Sequence, residues 1–165
     1  MISISLVVCV CTEKDLLRRL LDRTQGLFDD LVVVHDGPDS HNVREVVEPA
    51  GGRFFERARE HQQEPHWPFA WGQAAHDWIL RLDADEFPSE ELKEWLITFR
   101  AGAEPPGEIS GYTCNWPWWN GRRAVAKKWP QGRHFLIHRQ RVRFFGMVEQ
   151  VPVPDGRFEF LDLVL

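Results

Sequence analysis

Cysteine is scarce in this chain, and the three present, Cys9, Cys11 and Cys114, make no framework. Cys9 and Cys11 stand two apart on an expected strand, and the odd count leaves a thiol over, which argues against disulfides and for a reducing cytoplasm. Long apolar runs are missing as well. The stretch 1–11 has no basic residues ahead of it and is too short to span a bilayer, so it reads as a strand rather than a signal peptide or membrane helix. Repeats and low-complexity segments are absent. Acid is missing from residues 109–148, although the whole chain carries 25 acids against 20 bases for a net charge of −5. That tract holds eight bases (Arg122, Arg123, Lys127, Lys128, Arg133, Arg139, Arg141 and Arg143), so the acids collect elsewhere. The negative total argues against wholesale nucleic-acid binding.

What is present is one domain's worth of chain, 165 residues with 43% hydrophobic content, which excludes a disordered chain. Its centre is Trp78-Ile79-Leu80-Arg81-Leu82-Asp83-Ala84-Asp85-Glu86, an apolar run that ends in three carboxylates. A short run of large apolar residues reads as a buried strand, and acids at a strand's C-terminal end stand where open α/β sheets bind ligands. Clustered anions need a cation among them. Mg²⁺ or Mn²⁺ suits, being commonly held by one or two carboxylates plus substrate phosphates. An extended Asp-Ala-Asp would put both aspartates on one side to share it.

Around this centre strands and helices alternate. Residues 2–10 form a β-branched strand; Thr12 is the expected helix N-cap, with Asp15 three residues on. Leu16, Leu17, Leu20 and Leu21 repeat at helical spacing until Gly26. Residues 31–34 make a second strand leading into the turn at His35-Asp36-Gly37-Pro38. A helix on Val43, Val46 and Val47, a short strand at 53–55, a helix from Pro68 to Asp77, and a helix capped by Ser89 complete a mostly parallel α/β half. Beyond Pro105-Pro106, runs at 109–115, 124–129, 134–138 and 142–145 separated by Gly, Pro and Asn read as antiparallel strands. His134 and His138, four apart on a strand, do not make a helical zinc pair. Trp116, Trp118 and Trp119 serve equally as packing or as platforms for sugar rings.

The order of these features resembles the family 2 glycosyltransferases of the GT-A fold, closest in pattern to members like the lipopolysaccharide core glucosyltransferases. The resemblance rests on Thr12-Glu13 after the first strand, Val33-Val34-His35-Asp36 after the second, the tract 77–86, and the block from His134 through Phe145-Gly146-Met147-Val148-Glu149. It implies a Rossmann-like, mostly parallel sheet flanked by helices with a β-rich C-terminal half. Residues 1–104 would bind the nucleotide sugar and 105–165 the acceptor, within one domain spanning 1–165. Family domains continue into further helices, so the chain reads as a minimal or cut-back transferase. The resemblance places Thr12, Glu13, Asp36 and Asp83 at the nucleotide sugar, with Asp36 accepting from the base and Asp83 at the ribose or metal. Asp85 becomes the principal ligand of Mn²⁺ or Mg²⁺. The donor would be a nucleotide diphosphate sugar, a UDP-sugar first, and the acceptor a glycan or lipid-linked hydroxyl. Cell-surface glycan synthesis in the cytoplasm, or at the inner face of the membrane by peripheral contact, follows. Two departures stand out: His66-Trp67-Pro68 replaces the usual basic residue and Asn, and the family's His-Glu becomes Glu149-Gln150. A glutamine cannot accept a proton, so Glu149 is the candidate catalytic base.

A haloacid-dehalogenase-like phosphotransferase also carries Asp-x-Asp after a strand, but here Phe87 follows and no later Gly-Asp pair occurs. The remaining alternative is a non-catalytic module that binds a sugar nucleotide, an anionic glycan or nucleic acid through the Trp-rich basic segment.

Overall fold

The computed structural model describes residues 1–117, 122 and 132–165. In chain order these form β1 (Ile4–Val10), α1 (Lys14–Thr24), β2 (Asp30–Asp36), α2 (Arg44–Val47) and β3 (Arg53–Arg57). A 3-10 turn (Glu64–His66) then runs into α3 (Trp67–Gln73), followed by β4 (Trp78–Arg81), α4 (Glu90–Ala101), β5 (Ile109–Asn115) and β6 (Arg133–His138). The pair β7 (Val142–Arg143) and β8 (Val153–Pro154) precedes a last strand, β9 (Arg157–Val164). The strand expected at 124–129 lies outside the described residues.

Seven strands make one sheet among the described residues, in the order β3-β2-β1-β4-β6-β5-β9. β1 is an interior strand, third in the order beside the central β4; it runs parallel to both β2 and β4, and every one of its residues is buried. A parallel strand covered on both faces needs apolar side chains on both, which its continuous Ile, Leu and Val content provides. Alternate residues serve two cores. Ile4, Leu6 and Val8 pack with Leu17, Leu20, Leu92 and Leu96 of α1 and α4; Val7 and Cys9 pack with Trp67, Ala70 and Trp71 of α3 on the other face.

The fold agrees with the mostly parallel α/β expectation, with local differences that have physical causes. Of the antiparallel strands expected beyond residue 105, β5 and β6 do pair antiparallel, but β6 also pairs antiparallel with β4 and so extends the same sheet, while β5 and β9 run parallel. The helix expected to reach Asp77 stops at Gln73, because Arg139 takes its last carbonyls, those of Trp71 and Ala74, at 2.8 Å each and binds Asp77 at 2.9 Å. Ser89 caps α4 as expected, its hydroxyl accepting from the Leu92 N–H at 3.2 Å. No described helix is long and apolar enough to cross a membrane.

Candidate active site

β2 lies on one side of β1 and β4 on the other, so the chain reverses direction of travel across the sheet at β1. Strand C-termini at such a switch point splay apart and leave a crevice. Here the crevice is a cleft of about 560 Å³ lined by Cys9, Val10, Cys11, Glu13, Leu16, Asp36, residues 61–63, His66 and residues 83–85. It gathers Glu13, Asp36, Asp83 and Asp85 from three separate strand ends.

Thr12 is not one of the lining residues. It is exposed, and it does not cap α1: the N-cap is Glu13, whose Oε2 accepts from the N–H groups of Cys11 at 2.7 Å and Thr12 at 2.8 Å. A longer carboxylate reaches back to the turn's own amides, and the threonine hydroxyl is left out of it. Asp36 is 8% exposed and already well served. Its Oδ1 accepts from the Glu60 N–H at 2.6 Å and His66 Nε2 at 2.9 Å, and its Oδ2 from the His61 N–H at 3.1 Å. Burial alone would raise its pKa, but the Glu60 amide, His66 and the His61 amide together hold it below the ordinary 3.8. His66 Nδ1 faces Arg57 Nη1 at 3.5 Å, which leaves Nε2 to carry the ring proton towards Asp36.

The acidic tract is not extended as expected. β4 ends at Arg81, and the Glu86 N–H donates to the Asp83 carbonyl at 3.0 Å, closing a turn over residues 83–86. The turn separates the two aspartates in environment: Asp83 is half-buried and Asp85 exposed. The cation that clustered anions require is supplied in part by the chain itself. Arg133, at the start of β6, brings Nη2 to 2.8 Å from Asp83 Oδ1 and 2.9 Å from Glu86 Oε2. Asp83 Oδ2 accepts from Gln63 Nε2 at 3.1 Å, and the Asp83 N–H donates to Glu86 Oε2 at 2.8 Å. Burial pushes Glu86 up to about 7 against the pull of Arg133. The Cys9 thiol is also pushed up by burial, with Asp83 adding to the effect, so it lines the cleft as a neutral group.

Among the described residues no three His, Cys, Asp or Glu side chains converge as a metal cage. The donor set nevertheless fits a hard cation shared with a ligand, since Asp85 presents a carboxylate at the cleft with no partner among the described residues, and such ions take one or two carboxylates with phosphate oxygens.

Glu149 does not line this cleft. It sits exposed with φ of 60° on the segment 144–150, which docks on the 3-10 turn through the Glu149 N–H to Glu64 Oε1 at 3.3 Å. Gln150 turns inward, its Oε1 accepting from the N–H groups of Phe145 at 2.9 Å and Met147 at 3.3 Å, so its carboxamide holds the segment's shape. Of the five bases of the basic tract that the structure describes, Arg133, Arg139, Arg141 and Arg143 pair with Asp83 and Glu86, Asp77, Glu104 and Asp155. Trp118, Trp119, Arg123, Lys127 and Lys128 lie outside the described residues. His134 stacks on Phe158 at 4.3 Å and His138 sits edge-on to Trp78 at 5.1 Å, two separate aromatic contacts.

Sequence reasoning missed Gln63, His66, Glu86 and Arg133. The demand of three acids for a counter-charge was the signal for Arg133, but nothing in the sequence singled it out from seven other bases.

A seven-stranded, mostly parallel α/β sheet places its carboxylate-lined crevice at the switch point, where open α/β sheets bind ligands. The model of glycosyl transferase family 2 matches residues 5–150, and the chain belongs to that family. Solved structures agree on the fold. The chain resembles TarS from S. aureus (residues 1–349) at 17% identity and TM-score 0.57, covering 76% of this chain and 39% of that one. A mannosyltransferase from Pyrobaculum calidifontis, solved with GDP-Man and Mn²⁺, matches at 15% identity and TM-score 0.54 over 67% of this chain and 34% of its own. Rv0371c from Mycobacterium tuberculosis matches at 13% identity and TM-score 0.59 over 98% of this chain and 89% of its own. At these identities the likeness is one of fold, and the chain spans about two fifths of the TarS structure. No curated protein matches the sequence at a comparable level.

Proposed function

We propose that this protein is an inverting, hexosyltransferase-like glycosyltransferase that moves a sugar from a nucleotide diphosphate sugar, UDP-linked in the first instance, to an acceptor hydroxyl. The observation that carries the reading is the meeting of Glu13, Asp36, Asp83 and Asp85 in one cleft at the ends of three adjacent strands. TarS has been solved with UDP and the Pyrobaculum enzyme with GDP-Man and Mn²⁺, which supports a donor of this class.

In this reading Asp36 serves the base in two ways. Three of about four acceptor positions on its carboxylate are filled by Glu60, His61 and His66, which fixes the wall formed by residues 61–63; the remaining lone pair is left for a base N–H. Asp83, steadied by Arg133 and Gln63, meets the ribose or the ion. Asp85, with Asp83 beside it, would hold Mn²⁺ or Mg²⁺. When bound, such an ion supplies charge neutralisation to a departing diphosphate. The candidate base is Glu149, on the segment 144–150 beside the cleft and not in its lining; in that role it takes the proton of the acceptor hydroxyl as the hydroxyl oxygen bonds to the anomeric carbon and the bond from that carbon to the diphosphate breaks. The acceptor is a glycan or lipid-linked sugar of cell-surface synthesis, reached from the cytoplasm, as in the lipopolysaccharide core glucosyltransferase pattern.

A thermal-shift titration with UDP tests the reading. Binding to the native state alone raises apparent stability by mass action, so UDP should raise the melting temperature with Mn²⁺ present and lose that effect in EDTA. Equal stabilisation in EDTA removes the ion from the proposal; no stabilisation by any nucleoside diphosphate removes the donor.

A further inference from the structure

A second cavity, of about 940 Å³, opens beside the cleft and shares Leu16 and Asp85 with it. It lies on the face of the sheet covered by α1 and α4, since Leu16, Phe87, Trp116 and Leu165 all pack in that core. Its volume is in the range of pockets that bury most of a small ligand. Two of its walls differ in character. On one, Pro117, Val164 and Leu165 are apolar and Trp116 is half-buried, its ring pinned by the Arg133 guanidinium at 5.2 Å. A rigid aromatic of this kind offers a flat platform to the C–H face of a sugar ring. The other wall is α1, which starts at the cleft with Glu13 as N-cap. Leu16, Arg19 and Arg23 follow at i, i+3 and i+7, one stripe that leads away from the cleft over ~10 Å. The guanidiniums of Arg19, which lines the cavity, and of Arg23, one turn beyond, stand over the Phe87 ring at 5.1 and 5.3 Å. Such contacts orient a cation without neutralising it. Among the described residues neither arginine has a carboxylate within ion-pair distance, whereas the other bases of α1, Lys14 and Arg18, pair with Glu45 and Asp15. Of the cavity's own carboxylates, Glu86 is held by Arg133 and Asp85 stands at the join with the cleft, so the end beyond Arg19 is positive. A neutral sugar would leave two arginine forks unused; a sugar that carries an acid would use both walls.

We propose that this cavity is a subsite for an anionic sugar, with the pyranose ring on the Trp116 side and its carboxylate or phosphate at Arg19 and Arg23. In the transferase reading the sugar is a non-reacting unit of an acidic acceptor glycan, whose next unit reaches the cleft past Leu16 and Asp85, and its binding energy positions the hydroxyl that reacts. Only that role rests on the transferase reading; the affinity for the sugar acid does not.

The test uses the whole chain at matched ionic strength, with glucuronate, glucose 6-phosphate, glucose and octanoate titrated by ligand-observed NMR and UDP by calorimetry. At least one of the two sugar acids should bind about tenfold more tightly than glucose, and the tighter one names the anion. Arg19→Gln combined with Arg23→Gln should bring that affinity down to the level of glucose. Both side chains are exposed, so the double variant should melt as wild type does and bind UDP equally well. The sugar acid should also stay bound when the protein is saturated with UDP; displacement would put it in the nucleotide cleft and overturn the subsite. Sugar acids that bind no better than glucose, or a double variant that binds them as wild type does, overturn it too. So does octanoate that binds as tightly as either acid, which would make the cavity a site for a lipid-like anion. UDP binding without sugar-acid binding sinks this subsite alone, whereas arginine-dependent sugar-acid binding without any nucleotide binding sinks the transferase reading alone.

Discussion

Replacing Asp36 with Asn is the most revealing single change, because the structure makes this aspartate a structural hub as well as a candidate base ligand. Its carboxylate accepts three hydrogen bonds, from the Glu60 and His61 amides and His66 Nε2, across 24 to 30 residues of chain. Asparagine keeps one acceptor oxygen and turns the other into an NH₂ group, so at least one amide faces a donor. Hydrogen bonds to charged groups are worth about 1.5–3 kcal/mol each, and stranded buried donors cost about 1–3 kcal/mol. With the cleft able to hydrate some of the loss, the expected destabilisation is ~2–4 kcal/mol, a large share of the typical 5–15 kcal/mol total. The pH dependence follows in sign. The folded pKa of Asp36 is held below 3.8, so its stabilisation is present above that value and is lost as pH falls through the lower folded value. Urea unfolding of wild type and Asp36→Asn at pH 7 and at steps below pH 4 measures both; taking the difference cancels other low-pKa carboxylates such as Asp30 and Asp39. A variant within ~0.5 kcal/mol of wild type at neutral pH, the usual range for a surface change, refutes the hub. So does a gap that stays constant as the pH drops.

Asp85 is exposed and has no partner among the described residues, so Asp85→Ala should leave urea stability within ~0.5 kcal/mol while removing the Mn²⁺-dependent thermal shift by UDP; a shift that survives assigns the ion elsewhere. Glu149→Gln should keep nucleotide affinity and lower sugar transfer to a competent acceptor by ~10²-fold or more, the usual worth of a positioned base. Transfer at the parent rate would make the chain better regarded as using another base, and no transfer by either form would favour a sugar-nucleotide binder. Gly111→Ala should destabilise by about 1–3 kcal/mol in thermal or urea melts, because a Cβ there would meet the Leu136 carbonyl and, at 2.7 Å, the Phe158 ring; a neutral result would mean that β5 and β6 separate more easily than their register implies.

The sequence by itself determined the elements whose causes are local. Continuous β-branched runs specify β1 and β2 as strands buried on both faces, Ser89 three residues before Leu92 specifies the start of α4, and three acids after an apolar run specify a strand end that calls for positive charge. Family membership was legible from the same motifs. What tertiary structure decided were the pairings over long separations, which no local pattern encodes. β6 could have paired only within its own half, with β5; it also pairs with β4, and that insertion carries Arg133 to Glu86 across 47 residues. Arg139 ends α3 from 65 and 68 residues away, and His66, which the sequence marks only as a departure, becomes the donor to Asp36. The turn at residues 83–86 shows the same division. Its acids are plain in the sequence, but which is neutralised by the chain and which stays exposed at the cleft depends on where a distant guanidinium arrives, because a buried carboxylate is paired by proximity in space and not along the chain.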